Sequence, residues 1–196
     1  MKKNTMKNAD SSIVSDDELY SNFIQGQAES FDELTIRYGD ALVIYLNNIL
    51  HNIQDAEDVT VEAFARILAK SPAIRSGGFR AYLYKTAHNL AMNLLKKNGR
   101  REIFSLDDSE EIFEISDAVE KTVYDAERDD ILHLCMEKID PTLKEILFLI
   151  YFEDMSYKEA SAVMGISSKR VDKLLQTAKK HLKRELSKVG INHAYE

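Results

Sequence analysis

The chain has 196 residues, 33 Asp and Glu against 26 Lys and Arg, a formal charge of -7 and a hydrophobic fraction of 44%, enough to bury one large domain or two small ones. A single cysteine, Cys135, excludes an intrachain disulfide framework and a cysteine-built zinc site. Seven Gly and two Pro, with Ala, Leu, Ile, Lys and Glu recurring at helical spacing and little strand-like alternation, exclude a β-rich fold and predict an all-α protein.

Residues 1–18 read as a polar tail. The start "MKKNTMKNADSSIVSDDELY" is basic at first but lacks the apolar core of a signal peptide, and no run of about 18 apolar residues follows. The expectation is a cytoplasmic protein without membrane insertion.

Charge is segregated along the chain. Residues 1–65 carry 12 acidic residues against 4 Lys and Arg, residues 66–101 carry 9 Lys and Arg and no acid, residues 102–130 return to 12 acids against 2 bases, and residues 156–189 hold 9 bases against 3 acids. Affinity for nucleic acid follows local cation density, because each phosphate contact releases counterions and fields are screened within about 8 Å at physiological salt. A net anion with two basic blocks therefore still offers two surfaces to a polyanion.

The spacing predicts a helix over "DAEDVTVEAFARILAK", with Asp55 as its N-cap and acids in the first turn, where the helix dipole favours them. Thr60, Ala63, Phe64, Ile67 and Leu68 fall on one face, and Asp55, Asp58 and Glu62 on the other. Periodicity by itself reads this acidic stripe as solvated surface.

The loop "SPAIRSGG" follows, with Pro72, Gly77 and Gly78. A second helix, "FRAYLYKTAHNLAMNLLKKNGRR", turns Phe79, Leu83, Ala87, Leu90 and Leu94 inward. Tyr82, Lys85, Asn89, Asn93 and Lys96 share a narrow arc elsewhere on it, extended by Lys97, Arg100 and Arg101. An aromatic ring, amides and cations on one stripe suit unpaired nucleic acid, through stacking, base-edge bonds and backbone contacts. The other reading, a core-packed Tyr82 among ordinary surface cations, stands level with it.

The acidic stretch 102–128 holds no single helical phase and is read as a linker between a first domain, 19–101, and a second, 129–188, with a tail at 189–196. In the second domain, Asp140 followed by Pro141 opens a helix and Ser156 with Glu159 forms a capping box. Gly165 ends that short helix and Ser167 caps the next. This is helix-turn-helix spacing, in which the second helix enters the major groove. Val171, Leu174 or Leu175, Ala178 and Leu182 would hold the core, leaving Ser168, Lys169, Arg170 and Lys173 toward DNA and Lys179, Lys180, Lys183 and Arg184 toward phosphates. Arg170 is the expected base reader, since a guanidinium can bond guanine bidentately.

With these residues in view, the chain resembles the sigma-70 family of bacterial RNA polymerase sigma factors, in its small two-domain extracytoplasmic-function subgroup, over roughly residues 19–187. The resemblance lies in "FDELTIRY", then "DAEDVTVEAF" against D-A-E-D-x-x-Q-E-x-F, "FRAYLYKTAHNLAMNLLKK" against F-R-x-W-L-x-x-I-A-x-N-x-x-x-D-x-x-R-R, and the helix-turn-helix against G-x-S-x-x-E-I-A-x-x-L-G-I-S.

The resemblance implies docking of Asp55, Asp58, Val61 and Glu62 on the clamp coiled coil of the polymerase core. It implies that Arg80, Tyr82, Lys85, His88, Asn89, Asn93, Lys96, Lys97, Arg100 and Arg101 melt and read the minus-ten element on unpaired DNA. Ser167, Ser168, Lys169, Arg170, Lys173, Thr177, Lys179 and Lys180 would read the duplex minus-thirty-five element. The polymerase flap and a possible anti-sigma factor are further implied partners, and the linker would thread the polymerase in imitation of nucleic acid. Val61 stands where the family often has Gln, Tyr82 for Trp, His88 for Arg and Asn93 for Asp. Leu174, Thr177 and Asp172 replace commonly basic positions, which implies a weakened upstream grip.

Five scattered histidines without paired carboxylates predict no metal site, and the contiguous acids Asp107, Asp108, Glu110 and Glu111 lack the desolvation that catalysis needs. No cofactor and no enzymatic activity are expected. The alternative reading is a stand-alone helix-turn-helix regulator that binds duplex operator DNA.

Overall fold

The computed structural model describes residues 14–99, 132 and 134–189. The acidic linker, Arg100 and Arg101 lie outside the described residues. Every regular element among the described residues is helical.

Each helix begins where local chemistry satisfies its free N–H groups. Helix α1, Asp16–Ile24, is capped by the Ser15 hydroxyl, which accepts from the Glu18 N–H, and has three acids in its first turn. Helix α2, Glu29–Leu50, ends in left-handed His51. Asn52 at once caps α3, Ile53–Lys70. That corrects the expected cap at Asp55, because the Asn52 side chain accepts from the Asp55 N–H and the helix starts three residues earlier. After a loop through left-handed Gly77 comes α4, Phe79–Lys97.

In the C-terminal half, Asp140 accepts from the Thr142 N–H and Pro141 occupies the first turn of α5, Pro141–Leu147, which continues into a π-helical turn, Phe148–Phe152. The capping box of Ser156 and Glu159 opens α6, Tyr157–Met164. Gly165, at φ 69°, closes it, and Ser167 caps α7, Ser168–Lys188.

Helix α2 is the hub of the first half, packed against α1, α3 and α4, and it also meets α5. Helices α5, α6 and α7 form the second half, and α6 packs along α4. One buried cluster runs through both halves, from Leu34, Leu42, Tyr45 and Leu46 through Leu83 and Tyr84 to Ile146, Phe148, Leu149 and Val171. The basic helix and the helix-turn-helix are thus held in fixed register by burial of shared apolar surface.

Candidate nucleic-acid interface

Helix α3 buries Ala56, Val59, Thr60, Ala63, Phe64 and Ile67. Leu68, expected on this face, is half exposed, because the buried stripe is centred on 56–60–63–67 and Leu68 lies one step of 100° beyond it. Opposite, Asp58, Val61 and Glu62 are exposed, and Asp55 is partly so. Glu62 accepts from Arg66 at 2.7 Å, an exposed i,i+4 pair that contributes at most a few tenths of a kcal/mol. The acidic face presents charge without depending on it for folding.

Helix α4 has two working sides. Lys85, Asn89, Asn93, Lys96 and Lys97 are exposed, and Tyr82 is half-buried against the core. The Tyr82 ring packs inward and also lines an open groove of about 160 Å³ with Arg66, Ile67, Lys70, Thr86 and Asn89. The Thr86 hydroxyl donates to the Tyr82 carbonyl at 2.8 Å. Arg66 and Lys70 of α3 bring cations to the groove that the helix-by-helix reading of the sequence missed.

Arg80 and His88 go elsewhere. Arg80 donates to the main-chain carbonyls of Glu153 at 2.5 Å and Asp154 at 3.3 Å, and lies 3.8 Å from the Glu159 carboxylate. His88 Nδ1 is 2.8 Å from Glu145 Oε1, with both side chains nearly buried. The Tyr45 hydroxyl donates to the same oxygen at 2.6 Å and is 3.2 Å from His88 Nδ1. Because Tyr45 spends its only proton on Glu145, both Nδ1 contacts are attractive when Nδ1 carries the hydrogen. Burial, then Glu145, pushes the Tyr45 phenol far above its ordinary value, so it remains a donor. Leaving a polar atom of such a buried set without its partner typically costs about 1–3 kcal/mol.

The Tyr84 hydroxyl is buried between the halves, and burial followed by the nearby Glu153 carboxyl raises its pKa far above the usual range. Burial also raises Glu153, against the pull of Tyr84 and Arg80. Glu159 is held below its ordinary value: burial opposes this, but bonds from the Ser156 hydroxyl and N–H and the charge of Arg80 prevail. Tyr45, Tyr84, Glu145 and Glu153 were missed in the sequence. The available signal was Glu145, an acid set among Leu143, Ile146 and Leu147 on a helix otherwise built for burial.

In the helix-turn-helix, Ser167, Ser168, Lys169, Arg170, Lys173, Thr177 and Lys180 are exposed along the start and one side of α7. Lys179 lies over the Tyr151 ring, 5.6 Å from its centre. Val171, Leu174, Leu175 and Ala178 are buried and Leu182 partly so, leaving the predicted reading face outward. The Thr177 hydroxyl donates to the Lys173 carbonyl at 2.9 Å. Two exposed cationic faces therefore exist, one on α4 and one on α7.

The model of Sigma-70 region 2 matches residues 34–101, and that of Sigma-70, region 4 matches residues 129–182. ECF RNA polymerase sigma factor SigE of Mycolicibacterium smegmatis is 24% identical over 84% of this chain, which spans 64% of that protein's length. ECF RNA polymerase sigma factor SigM of Bacillus subtilis is 25% identical over 83% of this chain and 98% of its own. In fold the chain resembles the sigma factor RpoE of Bartonella quintana, solved in complex with the anti-sigma factor NepR, with a TM-score of 0.61 at 20% identity over 81% of this chain and 98% of that one.

Proposed function

The chain belongs to the sigma-70 family of RNA polymerase sigma factors, in its extracytoplasmic-function subgroup, and from that membership we propose how its surfaces divide the work. It binds the polymerase core, directs it to particular promoters and assists DNA opening at initiation. The observation that carries this function is the succession of both family regions on one chain, region 2 at 34–101 and region 4 at 129–182. A stand-alone regulator would need only the second and is not favoured.

The acidic face of α3, with Asp55, Asp58, Val61 and Glu62, is the proposed core contact. Its exposure and excess charge support that role, and complementary charge chiefly accelerates encounter and fixes register. The open side of α4, with Tyr82, Lys85, Asn89, Asn93, Lys96 and Lys97, is the proposed grip on the unpaired minus-ten strand, with Arg80 and His88 on the adjoining side of the same helix. Arg100 and Arg101 would extend it. Tyr82 lines an open groove there, and stacking on an aromatic ring is worth about 1–3 kcal/mol per base.

Helix α7 is the proposed duplex reader. Ser168, Lys169, Arg170 and Lys173 address bases from its N-terminal turns, and Ser167, Thr177, Lys179 and Lys180 address the flanking backbone. The flap of the core and an anti-sigma factor complete the proposed partners. We assign the protein to the cytoplasm as an initiation factor without chemistry of its own. No helix among the described residues is long and apolar enough to cross a membrane.

Reconstitution with bacterial core polymerase on a library of promoter DNA tests the function. Specific initiation should appear with the wild-type chain and fall sharply with Asp58→Ala and Glu62→Ala together. Absence of both core binding and promoter-selective transcripts from the wild-type chain would sink the reading.

A further inference from the structure

We propose that Arg66 is part of the strand-binding groove, and that Glu62, one turn before it on α3, holds its charge back until the polymerase core takes Glu62. The inference deepens the reading of α3 as the core contact and of α4 as the face for the unpaired strand, and it rests on both.

A line of side chains that joins the two surfaces is the first support. Asp58, Glu62, Arg66 and Lys70 are all exposed and follow one another at four-residue steps along α3. Each step advances about 40° round a helix of roughly 3.6 residues per turn and about 6 Å along it. The line opens on the acidic face and has turned by its end toward α4, where Arg66 and Lys70 line the groove with Ile67, Tyr82, Thr86 and Asn89. About two turns of helix thus separate the core contact from the proposed seat of the strand.

The second support is what the groove would lack without α3. Arg66 and Lys70 are the only cations among its lining residues. The Thr86 hydroxyl spends its single proton on the Tyr82 carbonyl at 2.8 Å, so the side-chain donors left from α4 are the Asn89 amide and the Tyr82 hydroxyl, both neutral. A phosphodiester in the groove would draw its charge-assisted bonds from α3, and the guanidinium supplies the forked one.

The present partner of Arg66 is the third. Its Nε donates to Glu62 Oε1 at 2.7 Å, with both side chains about half exposed. Such a pair adds little to folding, yet it sets a carboxylate beside one of the two cations that a phosphate would meet. A core cation that reaches Glu62 shares that carboxylate, loosens its hold on Arg66 and returns positive field to the groove. Docking and strand capture are thereby coupled, and by reciprocity the strand tightens docking by the same factor. The factor is about twofold, which at about 1.4 kcal/mol per tenfold is about 0.4 kcal/mol, the usual worth of an exposed i,i+4 pair.

The test uses the full chain and a fluorescein-labelled single-stranded oligonucleotide of mixed sequence, read by anisotropy at low salt, where exposed charges are least screened. Glu62→Gln keeps the shape and removes the charge. It should tighten oligonucleotide binding by the free chain about twofold while weakening capture of the core, opposite signs that a merely structural Glu62 would not give. Arg66→Ala combined with Glu62→Gln should erase the gain. In the assembled holoenzyme, Arg66→Ala should cost oligonucleotide binding about twofold more than it costs the free chain.

Equal or weaker oligonucleotide binding by Glu62→Gln overturns the proposal, as does a gain that survives Arg66→Ala. An Arg66→Ala cost that is the same with and without core, or core capture undiminished by Glu62→Gln, overturns the coupling to docking. Lys85→Ala with Lys96→Ala separates these failures from that of the reading beneath them. Undiminished oligonucleotide binding by that variant takes α4 out of the DNA path and the proposal with it, whereas lost binding beside a flat response to Glu62→Gln overturns the restraint of Arg66 alone.

Discussion

Both carboxylate oxygens of Asp17 accept from the Gly77 N–H at 2.8 Å, and one accepts from the Ser76 hydroxyl, while the Tyr20 hydroxyl donates to the Pro72 carbonyl at 2.7 Å. Two side chains of α1 thereby fasten both ends of the loop that leads into α4. The Ser76 bond first, then Gly77, holds the Asp17 carboxyl below its ordinary range. A depressed pKa contributes stability above the unfolded value of about 4, and the contribution is lost as pH falls through the folded one. Asp17→Asn should therefore lower the melting temperature slightly near pH 7, and the gap from wild type should close in acid. Thermal melts across roughly pH 2–7 check this. Arg170 stands at the exposed start of α7, where a bidentate contact is worth about 1–3 kcal/mol of discrimination. Arg170→Ala should relax preference at one upstream base in a promoter-library selection, and an equal loss on all promoters would assign it to phosphate.

At the scale of elements, the helix-turn-helix depends on caps that act over three or four residues. The Glu159 carboxylate accepts from both the N–H and the hydroxyl of Ser156, at 2.9 and 2.7 Å. Ser156→Ala should cost about 0.5–2 kcal/mol. Gly165→Ala should also destabilise, since the position is left-handed although a Cβ would meet nothing there. Urea denaturation of both variants measures these costs. The same short range explains what was legible in the sequence. Asp140 with Pro141, the capping box, Gly165 and Ser167 announce themselves within a turn, so the second half could be read almost element by element. The Asn52 cap was overlooked because Asp55 is itself a good cap, and Leu68 was drawn into the core because an arc of residues does not say where a neighbouring helix stops. Tyr45 and Glu145 meet across 100 residues of sequence. No local periodicity encodes such a pairing, and an acid in an apolar helix is the only trace it leaves.

For the whole molecule, the charge balance of -7 is reconciled with DNA binding by its distribution. Acidic α3 faces solvent on one side of the first half, while the exposed cations of α4 and α7 lie elsewhere. Lys85, Lys96 and Lys97 lie on the side of α4 that stays exposed, where each cation should release counterions on meeting a phosphate. Replacing all three with Ala should weaken open-complex formation and reduce the logarithmic salt slope by up to about 2, at roughly 0.7 per contact on a single strand. Open-complex stability measured across a salt series gives the slope, and an unchanged value would remove these lysines from the DNA path.

Cys135 is the only thiol of the chain and is 1% exposed, just ahead of the Asp140 cap of α5. A buried solitary thiol is a clock: a reagent such as a maleimide can mark it only during the intervals when its surroundings come apart. With reagent in excess and reclosure fast, the marking rate should scale with the population of those intervals, so a tightly folded helix-turn-helix is marked slowly and a loosened one quickly. Ser156→Ala should quicken the clock by about 2–30-fold, the kinetic equivalent of the lost cap, where the whole half opens as one unit. The residue that excluded a disulfide framework at the outset thus supplies a timer for the helix-turn-helix half of the molecule.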